Sequence, residues 1–198
     1  MELSDEALIE AHQQGDETAF GRLVRRYGDS LLGYLVKMTG NRQQAEDLFQ
    51  ETFSKVHQKA GTFKGQGRFK GWLYTIATNI AIDEMRKQGR EPVMISMNQH
   101  NDCGESGCSE STVAAAKDET AGPLQSAVLT ERKAQVRCAL ARLPERQRTT
   151  LILAYYQGLT YKEVAGVMGC SPGTVKTQMF RAMRTLAEIL PDVEGGAE

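Results

Sequence analysis

What the chain lacks narrows its identity first. Nowhere in its 198 residues is there an apolar run near the ~18 residues a membrane-spanning helix needs. We therefore expect no direct insertion into a bilayer. The opening, Met1 to Glu6, is acidic and has neither the basic start nor the apolar stretch of a secretion signal. Four cysteines without an export signal read as reduced thiols, so the expected setting is cytoplasmic. No alternation of useful length suggests a β-strand. Catalytic signatures are missing too: no cluster of carboxylates, no nucleophile beside a base, and no phosphate-cradling loop. The stretch Gly65-Gln66-Gly67 lacks the motif that would have to follow it. The chain reads as a non-enzyme that calls for no cofactor and no metal.

What is present is charge, unevenly placed. The net charge of −1 divides into +1 over residues 1–90, −5 over 91–125, +6 over 126–190 and −3 over 191–198. Within the first block, residues 61–90 hold 6 Lys/Arg against 2 Asp/Glu. Two basic surfaces separated by an acidic connector suggest two contacts with a polyanion. A solvated helix face can also be basic, so the segments matter more than the sum.

Helical periodicity fills the first ~90 residues. Asp16 is placed to cap a helix whose apolar stripe runs Phe20, Leu23, Val24, Tyr27, Leu31, Leu35. Asn41 and Gln44 resemble a capping box before a helix that buries Ala45, Leu48, Phe49, Phe53 and Val56. A Gly- and Lys-rich loop, 61–68, precedes Phe69, Trp72, Leu73, Ile76, Ala77 and Ile80 at helical spacing, with Gly89 as a stop. Periodicity then vanishes, and the polar stretch from His100 to Thr112 cannot bury enough surface to fold alone. Order returns near Pro123. Leu129, Val136, Leu140 and Leu143 share a face, and Pro144 opens a helix with Leu151, Ile152 and Tyr155 that Gly158 ends. The expected architecture is all-α: two small helical domains, 1–90 and 126–190, a flexible acidic linker, 91–125, and an acidic tail, 191–198.

Three segments carry chemistry. In Thr160–Arg184, Thr160 and Glu163 form a capping box, and Ala165, Gly169 and Val175 supply the small contact, the turn and the apolar anchor of a helix-turn-helix. Ser171 caps the second helix. That helix then presents Thr174, Lys176, Thr177, Gln178, Arg181 and Arg184 to a major groove; the plainer reading is an αα-hairpin with a solvated basic face. In Ala45–Phe53, Glu46, Asp47, Gln50 and Glu51 gather on the outer side of one helix. Acid at a helix start can complement the macrodipole, which accounts for Glu46 and Asp47 better than for Gln50 and Glu51; a protein partner fits all four. Finally, Phe63, Lys64, Arg68, Phe69, Lys70, Trp72, Tyr74, Asn79, Arg86 interleave rings, bases and amides, as a separated DNA strand requires. Trp72 sits at core spacing, whereas Tyr74, Thr75, Thr78 and Asn79 are less readily explained as core.

These segments together resemble the extracytoplasmic-function sigma factors of bacterial RNA polymerase, in the sigma-70 superfamily. Asp16–Phe20, Ala45–Phe53 and Phe69–Asn79 resemble the first conserved sigma domain; Leu143–Arg148, Gly158–Ala165 and Gly173–Lys176 resemble the second. The resemblance spans nearly everything but the linker and tail, and the linker has no room for the intermediate domain of housekeeping relatives. It implies a subunit that directs promoter recognition, melting and transcription initiation. Glu46, Asp47, Gln50 and Glu51 would dock on the β′ clamp helices of core RNA polymerase, and the C-terminal domain on the β flap. Phe63, Lys64, Arg68, Tyr74, Asn79 and Arg86 would hold the −10 element as a single strand. Ser171, Thr174, Lys176, Thr177, Phe180, Arg181 and Arg184 would read the −35 element as a duplex. An anti-sigma factor is a further partner to expect, and the acidic linker would suit a basic RNA channel.

One feature departs from that pattern. His100, Cys103 and Cys108 could supply three zinc ligands, but their spacing is irregular and no fourth is evident, so a solvated linker with incidental thiols is the expectation. Cys138 and Cys170 read as small packing residues. A stand-alone helix-turn-helix repressor, which would not need the Ala45–Phe53 surface, and a recombinase with an appended DNA-binding domain are the competing readings.

Overall fold

The structure, a computed structural model, describes residues 3–64, 69–87 and 123–190. Among them every regular element is a helix: α1 (Asp5–Gln13), α2 (Glu17–Thr39), α3 (Arg42–Lys59), α4 (Phe69–Lys87), α5 (Pro123–Arg142), α6 (Glu145–Leu151), α7 (Tyr161–Met168) and α8 (Pro172–Ile189), with a 3-10 turn at Ala60–Thr62 and a π turn at Ile152–Tyr156. α5 therefore begins inside the segment read as connector. No helix in the described residues is long and apolar enough to cross a membrane.

Local chemistry sets the helix starts. Asp16 Oδ1 accepts from the backbone N–H groups of Thr18 and Ala19, and the Thr18 hydroxyl on the same carboxylate, with these N–H groups, holds its pKa below the ordinary value. Asn41 Oδ1 accepts from Gln44 N at 3.1 Å, the N-cap half of the box expected there. Gly40, at φ 72, ends α2 in the left-handed conformation. Ahead of it, α1 is clasped to α2 by Asp5, whose carboxylate takes Arg26 at 2.5 Å and the Tyr27 hydroxyl.

α1 to α4 enclose a core of Leu8, Leu23, Leu31, Leu35, Phe69 and Leu73. Inside it, the Tyr34 hydroxyl and Thr78 Oγ1 pair at 2.7 Å, which is why two polar residues tolerate full burial there. Burial drives the Tyr34 phenol pKa well above its ordinary value. A smaller second core joins Leu140, Leu143, Leu151 and Ala182, with Val136, Met179 and Leu186 packed against it, and ties α5 and α6 to α8.

Four local expectations are corrected. Pro144 precedes α6 as its N-cap residue and is not inside the first turn. Tyr155 was expected on a buried face with Leu151 and Ile152 but is 74% exposed; the change to i→i+5 bonding at Ile152 rotates the following side chains off the α-helical stripe. Cys138 is exposed because α5 turns Ala139 and Leu140 inward. Thr78 is core, for the reason just given.

The two helical domains do not stand apart. Ile152, Leu153, Leu159, Val164, Ala165, Val167 and Val175 belong to the same continuous apolar cluster as Leu35 and Ile76. α7 lies against α4, and the π turn against α2.

Candidate nucleic-acid and protein interfaces

The helix-turn-helix is built from its caps inward. Thr160 Oγ1 accepts from Glu163 N while Glu163 Oε2 accepts from Thr160 N at 2.8 Å, a reciprocal box that starts α7. Gly169, at φ 60, turns the chain through the left-handed region that a Cβ disfavours. Ser171 Oγ accepts from Thr174 N at 3.1 Å, and Pro172 opens α8. Val175 and Ala182 are fully buried and fix the roll of α8. On the opposite side Lys176, Thr177, Phe180, Arg181 and Arg184 are exposed; at the start of the helix Ser171 is exposed and Thr174 half-buried. Phe180 and Met183 are 72% and 53% exposed, an unusual outlay of apolar surface on a polar helix. Arg184 pairs with Glu188 at 3.1 Å.

On α3, Glu46, Asp47, Gln50 and Glu51 are all exposed. Two of them have local cations: Glu46 holds Arg42 at 2.8 Å and Glu51 holds Lys55 at 2.7 Å, both across one helical turn. Beside them runs a shallow open groove bordered by Asn41, Gln44, Asp47, Leu48, Glu51 and Glu84. Its carboxylates give the face a negative potential suited to a basic partner.

The interleaved segment divides in two. Gln13 Nε2 donates to Ala60 O at 2.7 Å and Phe63 O at 3.3 Å, so α1 positions the backbone leading into the loop. The Phe63 ring rests on Trp72 and Phe69, with centroids 5.1 and 6.0 Å away. Trp72 is half-buried and packs on the core. Lys64, Asn79 and Arg86 are exposed, the last with Asp83 at 3.9 Å. Arg68, like His100, Cys103 and Cys108, lies outside the described residues.

Tyr74 is the departure. Expected on a DNA-facing surface, it is fully buried, and its hydroxyl donates to Gln157 Oε1 at 2.5 Å. Burial pushes its phenol up to about 12. The polar atoms around it come from both domains: Gln157 Nε2 donates to Ser30 O at 3.3 Å, Lys70 Nζ donates to Gln157 O at 2.5 Å, and Arg148 Nη1 donates to Met38 O at 3.0 Å. Lys37 Nζ stands 4.8 Å from the Tyr156 ring centre across the same seam. Sequence reading missed Gln157 and Arg148; the only hint was a lone amide closing the apolar run 151–156.

Comparison with known proteins accounts for both domains. The Sigma-70 region 2 family matches residues 23–91, and the family Sigma-70, region 4 matches residues 133–186. The RNA polymerase sigma-H factor of Pseudomonas aeruginosa is 33% identical over 94% of this chain and 93% of its own length. The ECF RNA polymerase sigma-E factor of Haemophilus influenzae is 33% identical over 91% and 92%. Among solved structures, the sigma factor RpoE of Bartonella quintana, in complex with the anti-sigma factor NepR, superposes with a TM-score of 0.62. It is 26% identical and covers 88% of this chain and 98% of that one.

Proposed function

The chain belongs to the extracytoplasmic-function group of the sigma-70 family and is a non-enzymatic factor that directs transcription initiation; from that premise we propose how its surfaces divide the work. The acidic outer face of α3, with Glu46, Asp47, Gln50 and Glu51, docks on the β′ clamp helices of core RNA polymerase, and the C-terminal domain meets the β flap. Phe63, Lys64, Arg68, Asn79 and Arg86 hold the −10 element as a single strand, with Tyr74 joining them once its hydroxyl leaves Gln157. Ser171, Thr174, Lys176, Thr177, Phe180, Arg181 and Arg184 engage the −35 element as a duplex. Capturing unstacked bases at one end offsets the cost of melting without ATP. The domains follow the boundaries 1–90 and 126–190, and the protein works in the cytoplasm with polymerase. An anti-sigma factor, as NepR is to the Bartonella factor it is bound to, is the further partner this reading proposes.

The observation that carries this reading is the outward cationic arc of α8 on one domain together with the exposed acidic face of α3 on the other. A repressor would need only the first. The test is transcription from genomic fragments by core polymerase with and without the chain, followed by mapping of start sites. New starts sharing paired upstream elements are expected. No association with core polymerase would refute the proposal.

A further inference from the structure

α1 reaches the segment that carries Phe63 and Lys64 through one side chain. Gln13, the last residue of α1, has two amide hydrogens and spends them across the 3-10 turn: Nε2 lies 2.7 Å from Ala60 O and 3.3 Å from Phe63 O. These carbonyls stand at opposite ends of the turn. Ala60 O also accepts the turn's own bond, from Phe63 N at 3.0 Å. Phe63 O lies beyond that bond, because Phe63 is extended, at φ −73 and ψ 117. The Thr62 hydroxyl ties back to Lys59 O at 2.7 Å, one residue short of Phe63. A single 3-10 turn has poor hydrogen-bond geometry and little hold of its own. The Gln13 amide straps it from outside. That strap has a firm mooring: the neighbouring His12 ring stands 4.8 Å from Phe20 and 4.9 Å from His57 in the last turn of α3, and Leu8 and Ile9 are buried.

We propose that Gln13 is a positioning residue for capture of the −10 strand, acting on that surface from a helix outside it. The proposal rests on the reading of Phe63 and Lys64 as −10 contacts. Two anchors act on Phe63. Trp72 and Phe69 hold its ring, and Gln13 holds its carbonyl. A held ring still leaves rotation about the Phe63 Cα–C bond, and that rotation swings Lys64. Fixing the oxygen removes it. Because a peptide is planar and trans, the Lys64 N–H then points opposite to that oxygen, away from α1. The residue type matters as well. Glutamate has the same length but would turn acceptors toward two carbonyl oxygens. A neutral amide also sets the backbone without adding a phosphate contact, so its effect belongs in base preference and not in salt dependence.

The test uses holoenzyme assembled from core polymerase and the full chain. It is titrated with a labelled single strand spanning the −10 element of a mapped start site, and with the same strand substituted at each base in turn. Gln13→Met keeps the length and the helix propensity and removes the donors. Apparent affinity scales with the fraction of chains that hold the competent geometry, so capture of the preferred strand should fall about tenfold. Preference over the substituted strands should shrink, and the salt slope should stay as in wild type. Gln13→Glu should lose more. Gln13→Lys, which restores a donor, should recover the base preference, which added charge alone does not supply. Affinity for core polymerase and for a −35 duplex should stay within about twofold of wild type, as expected of a distant site.

Unchanged capture and base preference in a folded Gln13→Met variant overturn the proposal. So does an equal loss at the −35 duplex and at core polymerase, the mark of a general loss of structure. Should the Met variant lose its helical circular dichroism, Gln13→Glu and Gln13→Lys decide, and equal base preference in those two overturns it. A wild-type holoenzyme that captures no −10 strand refutes the −10 reading itself and takes the proposal with it.

Discussion

Lys176 and Arg181 allow a quantitative test of how α8 meets DNA. They are five residues apart, so at 3.6 residues per turn they stand about 140° apart round the axis and about 7.5 Å along it. Thr177, Phe180 and Arg184 fall in the arc between them, and the buried Val175 and Ala182 lie behind. A helix seated in a major groove ~12 Å wide turns the middle of such an arc to the base edges and its flanks to the two phosphate walls. Each flanking cation then neutralises one phosphate. The slope of log K against log salt should become shallower by about 0.9 for Lys176→Ala or Arg181→Ala, and by about 1.8 for both. Referred to 1 M salt, about 0.9 in slope is roughly fivefold in affinity at ~0.15 M, about 1 kcal/mol. The walls are far enough apart for the effects to add. Fluorescence anisotropy with a labelled −35 duplex from mapped start sites, titrated across salt, measures both quantities. Unchanged slopes, or a loss confined to one base position, would refute the flanking geometry and move the side chain to a base edge.

Thr160→Ala, which breaks the capping box at α7, should cost about 1 kcal/mol in urea unfolding, and Gly169→Ala about 1–2 kcal/mol because its backbone sits at φ 60. Asp47→Lys with Glu51→Lys should abolish capture by core polymerase in a pull-down while leaving helical content intact, since both carboxylates are exposed. Tyr74 gives a pH dependence. Its phenol ionises near the ordinary value of 10.0 in the unfolded chain, but only at about 12 in the folded one, where burial opposes the charged form. The folded state is thus favoured fully below pH ~10, and roughly 2–3 kcal/mol of that stability is lost as pH rises from ~10 to ~12. Urea unfolding across that range should show a loss of stability that Tyr74→Phe blunts.

The caps show what a sequence discloses most readily. Asp16, Asn41, Thr160 and Ser171 act on N–H groups two or three residues on, so the relevant physics lies within one turn. The all-helical class followed from periodicity for the same reason, and the outward set of Lys176 and Arg181 follows from the burial of Val175. The seam could not be read this way. Tyr74 meets a residue 83 positions later, and Arg148 reaches back 110. A tyrosine beside Thr75 on an amphipathic helix carries no sign of whether its hydroxyl will meet a nucleobase or an amide from the other domain. Tyr155 failed for a subtler reason: spacing arguments assume 3.6 residues per turn, and the backbone changes its period at Ile152.

Because Leu153, Val167 and Val175 complete the same oily interior as Leu35 and Ile76, parting the domains would wet side chains that are otherwise buried. A molecule that springs apart away from its large enzyme partner would be sticky and easily nicked by proteases. While the two domains stay packed together that surface is covered, so copies without polymerase should be the ones that resist proteases.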